Sequence, residues 1–297
     1  MSDDAAVFDR HRSLLFTLSY ELLGSVADAE DVVQEAYLRW SGRPAEPVEN
    51  PRAYLAQVVT RLSLNRLRTL ARRREDYVGP WLPEPLLTTP DVADDVVLAE
   101  SVSLALLVVL ESLTPRERAV FVLREVFGYG HDEIAGALGS TAVAVRQVAH
   151  RARRQVQARR PRFTADAATA DRVRTEFERS VLTGDLQGLM DVLAPDVVLL
   201  SDGGGVVSAA RRPIHGPDPV ARFLLGVVAK SAAASPNMYS RIEHAMVNGD
   251  RGWLTRLDRR VTSAIQVVIA DGRISQVLMV NNPQKLVTLD EHHRLTR

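Results

Sequence analysis

The residues best suited to specific recognition lie between positions 141 and 156, where apolar and polar side chains follow the spacing of an amphipathic helix. One stripe is apolar and consists of Val145, Val148, Ala149, Ala152 and Val156. The opposite face carries Thr141, Arg146, Gln147, His150, Arg151, Arg153 and Arg154. Arginine and glutamine can make paired hydrogen bonds to guanine and adenine, and further arginines suit phosphate groups. This face therefore favours binding to a nucleic acid.

The segment before this helix completes a recognisable motif. Residues 132–138 have the pattern of a short helix that Gly139 would end, and Ser140 or Thr141 could cap the next helix. A short helix, a glycine turn and a helix with a basic face make a helix-turn-helix, whose second helix reaches base edges with its early residues. Arg146 and Gln147 hold those early positions. The alternative is a structural helical hairpin with a solvated basic face.

A second basic stripe lies on a helix predicted from about residue 52 to residue 74. Its members, spaced by four, three and four, are Arg61, Asn65, Arg68 and Arg72. The side predicted to be buried carries Leu55, Val58, Val59 and Leu62. A basic helix beside an aromatic residue such as Tyr54 could bind strand-separated DNA, in which bases stack and phosphates pair with arginine. A solvated arginine face is the alternative.

An acidic amphipathic helix is predicted over residues 28–40. Its charge disfavours DNA and suits a basic protein partner. The charge pattern of the whole chain agrees with surfaces made for different partners, because residues 61–74 contain six arginines and no acid, and residues 146–162 contain seven arginines and no acid. A run of seven or more acids without a base separates these two blocks.

The composition is that of an ordinary globular protein. The 297 residues suffice for two or three domains, the formal net charge is zero, and the absence of cysteine excludes disulfides, cysteine-based zinc sites and a cysteine nucleophile. The most apolar stretch, residues 96–110, is too short and too polar to span a bilayer. The acidic opening residues 1–4 do not resemble a secretory signal, so we expect a cytoplasmic protein.

The chain divides into four predicted regions: helical residues 5–76, an extended proline-rich linker over 77–95, helical residues 96–160, and an α+β domain over 165–290. In the last region, a helix from about 165 to 182 and another from 219 to 231 accompany apolar runs typical of strands. These runs are residues 197–200, 238–247, 253–261, 264–270 and 274–280. Asn248-Gly249 and Asp271-Gly272 predict hairpin turns within an antiparallel meander.

The C-terminal region also contains residue types that can transfer protons. They are Asp202, His215, His244 and Asp258. Their spacing does not converge on a catalytic motif, so we expect each to be solvated or structurally satisfied and the domain to be regulatory.

Several motifs together resemble one protein family. Residues 28–36 (DAEDVVQEA) and 50–55 (NPRAYL) are similar to region 2 of bacterial extracytoplasmic-function sigma factors, and residues 113–121 with the helix-turn-helix resemble region 4. The linker sequence WLPEP at 81–85 and the sequence NPQKL at 282–286 resemble a subgroup with a fused C-terminal SnoaL-like (NTF2-like) domain. Gln284 and Val206 depart from that subgroup, which commonly has Asp and Lys there.

The resemblance implies specific partners. It implies that residues 28–40 bind the β′ clamp helices of core RNA polymerase through Asp31, Gln34, Glu35 and Leu38. It also implies that helix 52–74 opens and reads the promoter −10 element, that helix 141–154 reads the −35 element, and that residues 165–290 form an NTF2-like cone. The expected interdomain regulatory residues are Trp81, Leu82, Pro83, Asn282, Pro283, Lys285 and Leu286.

Trp81 and Leu82 are large apolar side chains in a linker that cannot form its own core, so they need a surface to cover them. We expect that surface near residues 282–286. The predicted function is promoter recognition as a polymerase subunit without catalytic activity, cofactor, metal or membrane contact, regulated by a C-terminal domain whose ligand is unknown. Two alternatives stay open: a SnoaL-type enzyme or ligand sensor fused to a DNA-binding module, and a transcription regulator that acts without polymerase.

Overall fold

The structure is a computed structural model that describes residues 3–43, 48–89, 96–159, 166–234, 242–257, 259–289, 292–293 and 295–297. Predictions that concern the end of the linker (90–95), residues 238–241, Asp258 and the side chain of Arg72 lie outside this description. The chain forms two compact units. We call Met1–Asp76, Thr88–Arg160 and His292–Arg297 the helical unit, and Tyr77–Leu87 with Pro161–Glu291 the sheet unit.

The first part of the helical unit is a bundle of three helices. They are α1 (Asp3–Leu23), α2 (Val26–Ser41) and α3 (Pro51–Glu75). The side chain of Ser25 caps α2 by accepting a hydrogen bond from the Asp28 N–H. Asn50 Oδ1 accepts one from the Ala53 N–H at 3.0 Å, where α3 begins. The long amphipathic α3 is thus fixed at its start and buries residues such as Leu55 against α1 and α2.

The second part of the helical unit is broken into short helices. They are α4 (Val96–Val102), α5 (Leu104–Leu110), α6 (Pro115–Phe121), α7 (His131–Leu138) and α8 (Ala142–Arg159), with a π-helical turn over Val122–Val126. Ser103 caps α5, and Thr114 forms a capping box with Glu117 at the start of α6. The sequence predicted the turn and cap at 139–141 but not the π-helical turn.

The sheet unit packs helices against a sheet. Its helices are α9 (Ala167–Thr183), α10 (Leu186–Val192), α11 (Pro217–Ala234) and α12 (Pro283–Leu286). Its strands are β1 (Leu87–Thr88, which ends in the helical unit), β2 (Leu193–Asp202), β3 (Ile214–His215), β4 (Ile242–Val247), β5 (Asp250–Leu257), β6 (Arg260–Ala270) and β7 (Arg273–Val280). A short strand β8 (His292–His293) lies in the helical unit.

The strand order in the sheet unit is β3-β2-β7-β6-β5-β4-β1. Strands β4 to β7 form the predicted antiparallel meander, whereas β2 pairs with β7 in parallel. Asn248 (φ 50°) and Asp271 (φ 50°) adopt the left-handed conformation before a glycine, which confirms both predicted hairpin turns. The core between helices and sheet includes Phe177, Leu189 and Val277.

One strand prediction was wrong. The apolar run 253–261 was interpreted as a single strand, but β5 ends at Leu257 and β6 begins at Arg260. Arg259 takes a left-handed conformation (φ 69°) in the tight connection. No glycine, asparagine or proline marks this turn, and the one turn-favouring residue between the strands is Asp258, which is a weaker signal than the Asn-Gly and Asp-Gly pairs of the other hairpins.

The linker residues 77–86 are extended, as their prolines require, and lead into β1. Leu82, Pro83, Pro85 and Leu86 are buried within the sheet unit. Of the helices that the structure describes, none has the length and apolar character needed to cross a membrane.

Candidate nucleic-acid interface and linker-binding site

Helix α8 presents the polar face that its sequence predicts. Thr141, not Ser140, caps the helix by accepting a hydrogen bond from the Ala144 N–H at 3.2 Å. Gly139 ends α7 in the left-handed conformation (φ 59°) that permits the tight turn. Every polar residue predicted for the exposed face is exposed, and the five apolar residues of the predicted stripe are buried.

The residues on this face differ in their partners. The Arg153 guanidinium lies 2.6 Å from the Glu125 carboxylate of the π-helical turn, and this hydrogen bond raises the pKa of Arg153. Arg146 and Gln147 make no side-chain hydrogen bond to another residue in the described part of the chain. The side chains of Arg146 and Gln147 are therefore exposed and free to bind a ligand.

The basic stripe of α3 is only partly free. Arg61 donates from Nε to the Ala137 carbonyl at 2.9 Å and from Nη2 to the Gly136 carbonyl at 3.0 Å. These carbonyls lie in the last turn of α7, where a helix has unpaired acceptors and attracts a cation. Asn65 and Arg68 are exposed and hydrogen-bond each other at 3.3 Å. In this arrangement Arg61 joins the two halves of the helical unit.

Helix α2 exposes the residues that the resemblance assigned to polymerase. They are Asp31, Gln34, Glu35 and Leu38. Leu38 is 68% exposed. Arg66 lies 3.1 Å from Asp31, and Arg39 lies 2.7 Å from Glu35, so surface ion pairs partly balance both acids. An exposed leucine with flanking carboxylates suits a protein surface that is basic and partly apolar.

A buried cluster around Asp202, at the end of β2, holds the linker. The fully buried Asp202 carboxylate accepts hydrogen bonds from Tyr77 Oη at 2.6 Å, the Leu82 N–H at 2.8 Å and Lys285 Nζ at 2.7 Å. Lys285 also donates to the Leu82 carbonyl at 2.5 Å. Asn282 donates from Nδ2 to Tyr77 Oη at 2.8 Å. We call Tyr77, Leu82, Asp202, Asn282 and Lys285 the linker clasp.

Aromatic rings cover the buried ammonium group of the linker clasp. Lys285 Nζ lies 4.0 Å from the centre of the Trp81 ring and 4.9 Å from that of Tyr77, within cation–π range. Burial and the hydrogen bond to Asp202 raise the pKa of the Tyr77 phenol. Gly204 (φ 61°) lets the chain pass the clasp, because a Cβ there would lie 2.3 Å from Asn282 Nδ2. The clasp thus combines a charge pair, hydrogen bonds and close backbone packing.

The structure brings Trp81 and Leu82 together with Asn282 and Lys285, although these residues are some 200 positions apart. Pro83 and Leu286 are buried, and Pro283 is exposed at the start of α12. The two departures from the subgroup, Val206 and Gln284, are exposed and make none of the side-chain contacts described for the clasp. The sequence did not predict that Asp202 contacts the linker, since the only role considered for this residue was proton transfer.

The candidate proton-transfer residues do not converge. Asp202 belongs to the linker clasp, and His215 is exposed on β3. His244 bonds through Nε2 to the Glu178 carboxylate at 2.9 Å. Each of these three residues is either bonded to a protein group or exposed to solvent. No two of them form an acid–base pair in the described part of the chain. Nor do the described histidines and acids form a group of three placed to hold a metal ion.

A buried ionisable cluster in the helical unit was not predicted. Arg118 on α6 donates from Nε to the Glu21 carbonyl at 3.1 Å and pairs with Glu111, while Ser101 Oγ donates to the Glu21 carboxyl at 2.7 Å. Burial raises the pKa of Glu21 to about 8 and lowers that of Arg118 to about 9. The sequence did contain an indication that Glu21 is buried. This residue follows Leu14 and Leu18 at helical spacing, which places it on the apolar face of α1.

The helical unit combines a helix-turn-helix that has an exposed basic face with a three-helix bundle that has separate basic and acidic surfaces. These features are those of a DNA-binding protein that also has a protein partner. The family described as Sigma-70 region 2 matches residues 7–73, and Sigma-70, region 4 matches residues 103–156. The ECF RNA polymerase sigma factor SigJ of Mycobacterium tuberculosis is 37% identical, over 95% of this chain and 93% of its own length. The chain belongs to the extracytoplasmic-function (ECF) RNA polymerase sigma factors.

Two further comparisons support membership of this family. The probable ECF RNA polymerase sigma factor SigI of M. tuberculosis is 37% identical over 65% of this chain and 68% of its own length. The crystal structure of M. tuberculosis SigJ matches with a TM-score of 0.78 and 35% identity, covering 96% of this chain and 99% of that chain. The predicted fold class is confirmed: two all-α sigma regions and a C-terminal α+β domain of the SnoaL-like (NTF2-like) type. The chain therefore binds core RNA polymerase and promoter DNA and acts in promoter recognition.

Proposed function

We propose that this sigma factor reads the −35 element with α8 and the −10 element with α3, and that α2 binds the β′ clamp helices of core polymerase. The observation that carries the proposal is the exposed face of α8, where Arg146 and Gln147 are unbonded within the described chain. On a recognition helix, such residues read bases in the major groove, and the later arginines contact phosphates. The functional regions are then residues 5–76, 77–95, 96–160 and 165–290.

We call the arrangement in which Arg61 bonds to the α7 carbonyls the closed form of the helical unit. These bonds use the Nε hydrogen and one Nη2 hydrogen of Arg61, and a guanidinium carries five such hydrogens. Arg61 can therefore hold α3 against α7 and still donate to a phosphate of promoter DNA.

The sheet unit regulates this sigma factor in cis and has no catalytic activity of its own. The linker leaves the helical unit after Asp76 and returns to it at Thr88, so the clasp restrains the segment that joins the −10-reading and −35-reading parts. The scattered positions of Asp202, His215 and His244 support a regulatory role over an enzymatic one. The protein acts where its polymerase acts, in the cytoplasm.

The polymerase contact is tested by charge reversal on α2. The double variant Asp31→Lys/Glu35→Lys should bind core polymerase at least about tenfold more weakly, and the residual affinity should depend less on salt. The control is Asp191→Lys, which changes an exposed acid in the sheet unit. Binding is measured by titration of core polymerase, and run-off transcription should fall in parallel. Equal affinities for the wild type and the double variant would refute the assignment of α2.

A further inference from the structure

An exposed valine lies on the first turn of α8. The helix begins at Ala142, so Val143 is its second residue. The side chain is 61% exposed, and α8, which the structure describes from end to end, has no other exposed large apolar side chain. The five apolar residues that hold α8 against the rest of the helical unit are buried. Packing of the core therefore does not account for Val143.

Valine is also a poor residue for an exposed position in a helix. Its branched Cβ restricts the side chain and lowers its helix propensity below that of alanine, lysine or glutamate. Its methyl groups gain free energy only when another surface covers them. A residue that disfavours its own helix and stays outside the core is typical of a functional position. The exposure of Val143 therefore indicates a surface that meets a partner.

Val143 shares a face of α8 with the two residues proposed to read bases. It precedes Arg146 by three positions and Gln147 by four, and all three side chains are exposed. Three residues of a helix rise by about 4.5 Å, and successive base pairs are about 3.4 Å apart. A helix that presents Arg146 and Gln147 to base edges therefore presents Val143 to an edge one or two base pairs away.

The turn that carries Val143 is held in place on both sides of the helix start. Thr141 Oγ1 accepts the capping hydrogen bond from the Ala144 N–H at 3.2 Å, and Arg116 Nη2 donates to Ser140 Oγ at 2.5 Å. Because valine is branched at Cβ, its side chain has one strongly preferred rotamer in a helix. The methyl groups of Val143 are thus positioned before DNA binds, and little entropy is lost when they make a contact.

The chemistry of the isopropyl group restricts which base it can favour. It neither donates nor accepts a hydrogen bond, so it cannot pair with the donors and acceptors that adenine, guanine and cytosine present in the major groove. Covering one of those groups without a hydrogen bond costs free energy. The C5-methyl group of thymine is the apolar group on the edges of the four bases. Val143 therefore suits thymine and disfavours the other three bases.

We propose that Val143 is a further specificity-determining residue of this sigma factor, and that it selects a thymine by contact with the C5-methyl group. The selected thymine lies one or two base pairs from the positions that Arg146 and Gln147 read. This inference rests on the proposed function, because it requires α8 to lie in the major groove of the −35 element. It adds an apolar contact to the hydrogen bonds and phosphate contacts of the polar face.

Replacement of thymine by uracil tests the methyl contact, because the two bases differ only by that methyl group. Holoenzyme made from the full chain is titrated with promoter duplexes that carry the −35 sequence selected by the wild type, with each thymine replaced in turn. One replacement should weaken binding of the wild type about three- to fivefold, the effect of one buried methyl group. Val143→Ala should bind the unmodified duplex more weakly by a similar factor. That variant should lose nothing further on the same replacement, because both changes remove one contact.

The matched control is Val206→Ala, which shortens a valine of similar exposure (60%) in the sheet unit. It should keep the affinity of the wild type and the full effect of uracil. A second measurement titrates core polymerase without DNA, where Val143→Ala and the wild type should bind equally. Weaker binding of Val143→Ala to core polymerase would show that Val143 contacts a protein and would overturn the proposal.

Two further results would overturn the proposal. One is a selected −35 sequence without a thymine within two base pairs of the positions that Arg146 and Gln147 read. The other is a uracil effect of the same size in Val143→Ala and in the wild type, or in neither. In each case a −35 preference that persists in the wild type leaves the proposed function intact. A wild type with no −35 preference would refute the proposed function and this inference together.

Discussion

Glu21 is a carboxyl group whose protonation is linked to the folding of the helical unit. It is fully buried, and burial raises its pKa from 4.5 to about 8. A raised pKa means that the folded state holds the proton more tightly than the unfolded chain does. The resulting stabilisation is complete below about pH 4.5 and is lost as the pH rises through about 8.

We therefore expect the free energy of unfolding to decrease by about 4 kcal/mol between about pH 5 and about pH 9 through this group. Glu21→Gln, which mimics the protonated carboxyl, should remove that part of the pH dependence. The free energy of unfolding is measured by urea titration at each pH, with the indole N–H resonance of Trp40 as the probe of the helical unit. Glu35→Gln, at an exposed acid, serves as control. An unchanged pH dependence in Glu21→Gln would contradict this account.

At the scale of elements, the contact between α3 and α7 depends on one charged side chain. The two hydrogen bonds of Arg61 satisfy carbonyls that the end of α7 leaves unpaired. Hydrogen bonds from a charged donor contribute about 1.5–3 kcal/mol. The closed form of the helical unit is therefore expected to loosen when Arg61 is removed.

Arg61→Ala should raise hydrogen exchange of the amides in the last turn of α7 by about tenfold or more in the free protein. Arg68→Ala removes an arginine from the same stripe that does not contact α7, so it should leave this exchange unchanged. Exchange is measured by mass spectrometry on peptides that cover residues 131–140. The same exchange in both variants would show that Arg61 does not hold α7.

Elements with a strong periodic pattern were predictable from the sequence. The two faces of α8 follow from a spacing of three and four residues, and the hairpins at Asn248 and Asp271 follow from turn residues beside a glycine. The contact of Arg118 with Glu21 joins residues 97 positions apart. Such a contact depends on how helices pack, which no local pattern encodes, and the partners of Arg61 and Asp202 were missed for the same reason.

At the scale of the whole chain, the linker clasp fixes residues 77–87 within the sheet unit, and these residues run between two stretches of the helical unit. Lys285 is 6% exposed and Asp202 is fully buried, so removal of the lysine would leave an uncompensated carboxylate inside the sheet unit. Breaking one partner of a buried ion pair costs about 3–5 kcal/mol. Because the Asp202 carboxylate bonds directly to the linker, we expect a cost of this size to release residues 77–87.

We expect Lys285→Met to raise hydrogen exchange of residues 77–87 by about a hundredfold or more, while Gln284→Ala, at the exposed neighbouring position, should not change it. Lys285→Met/Asp202→Asn should recover part of the protection because it removes the buried charge. Run-off transcription with core polymerase should change in Lys285→Met. Higher exchange with unaltered transcription would mean that the clasp is structural, and unaltered exchange would mean that it does not hold the linker.

The central claim is that α8 selects promoters by reading bases. The most direct measurement is the selection of promoters from a library randomised at the −35 element, with holoenzyme made from the full chain. Wild-type protein should select a defined −35 sequence. Arg146→Ala and Gln147→Ala should each relax the preference at one or two adjacent positions, at about 1–3 kcal/mol for the preferred base, whereas Arg154→Ala should weaken all sequences alike. Equal losses on every sequence in Arg146→Ala and Gln147→Ala would contradict base reading by α8.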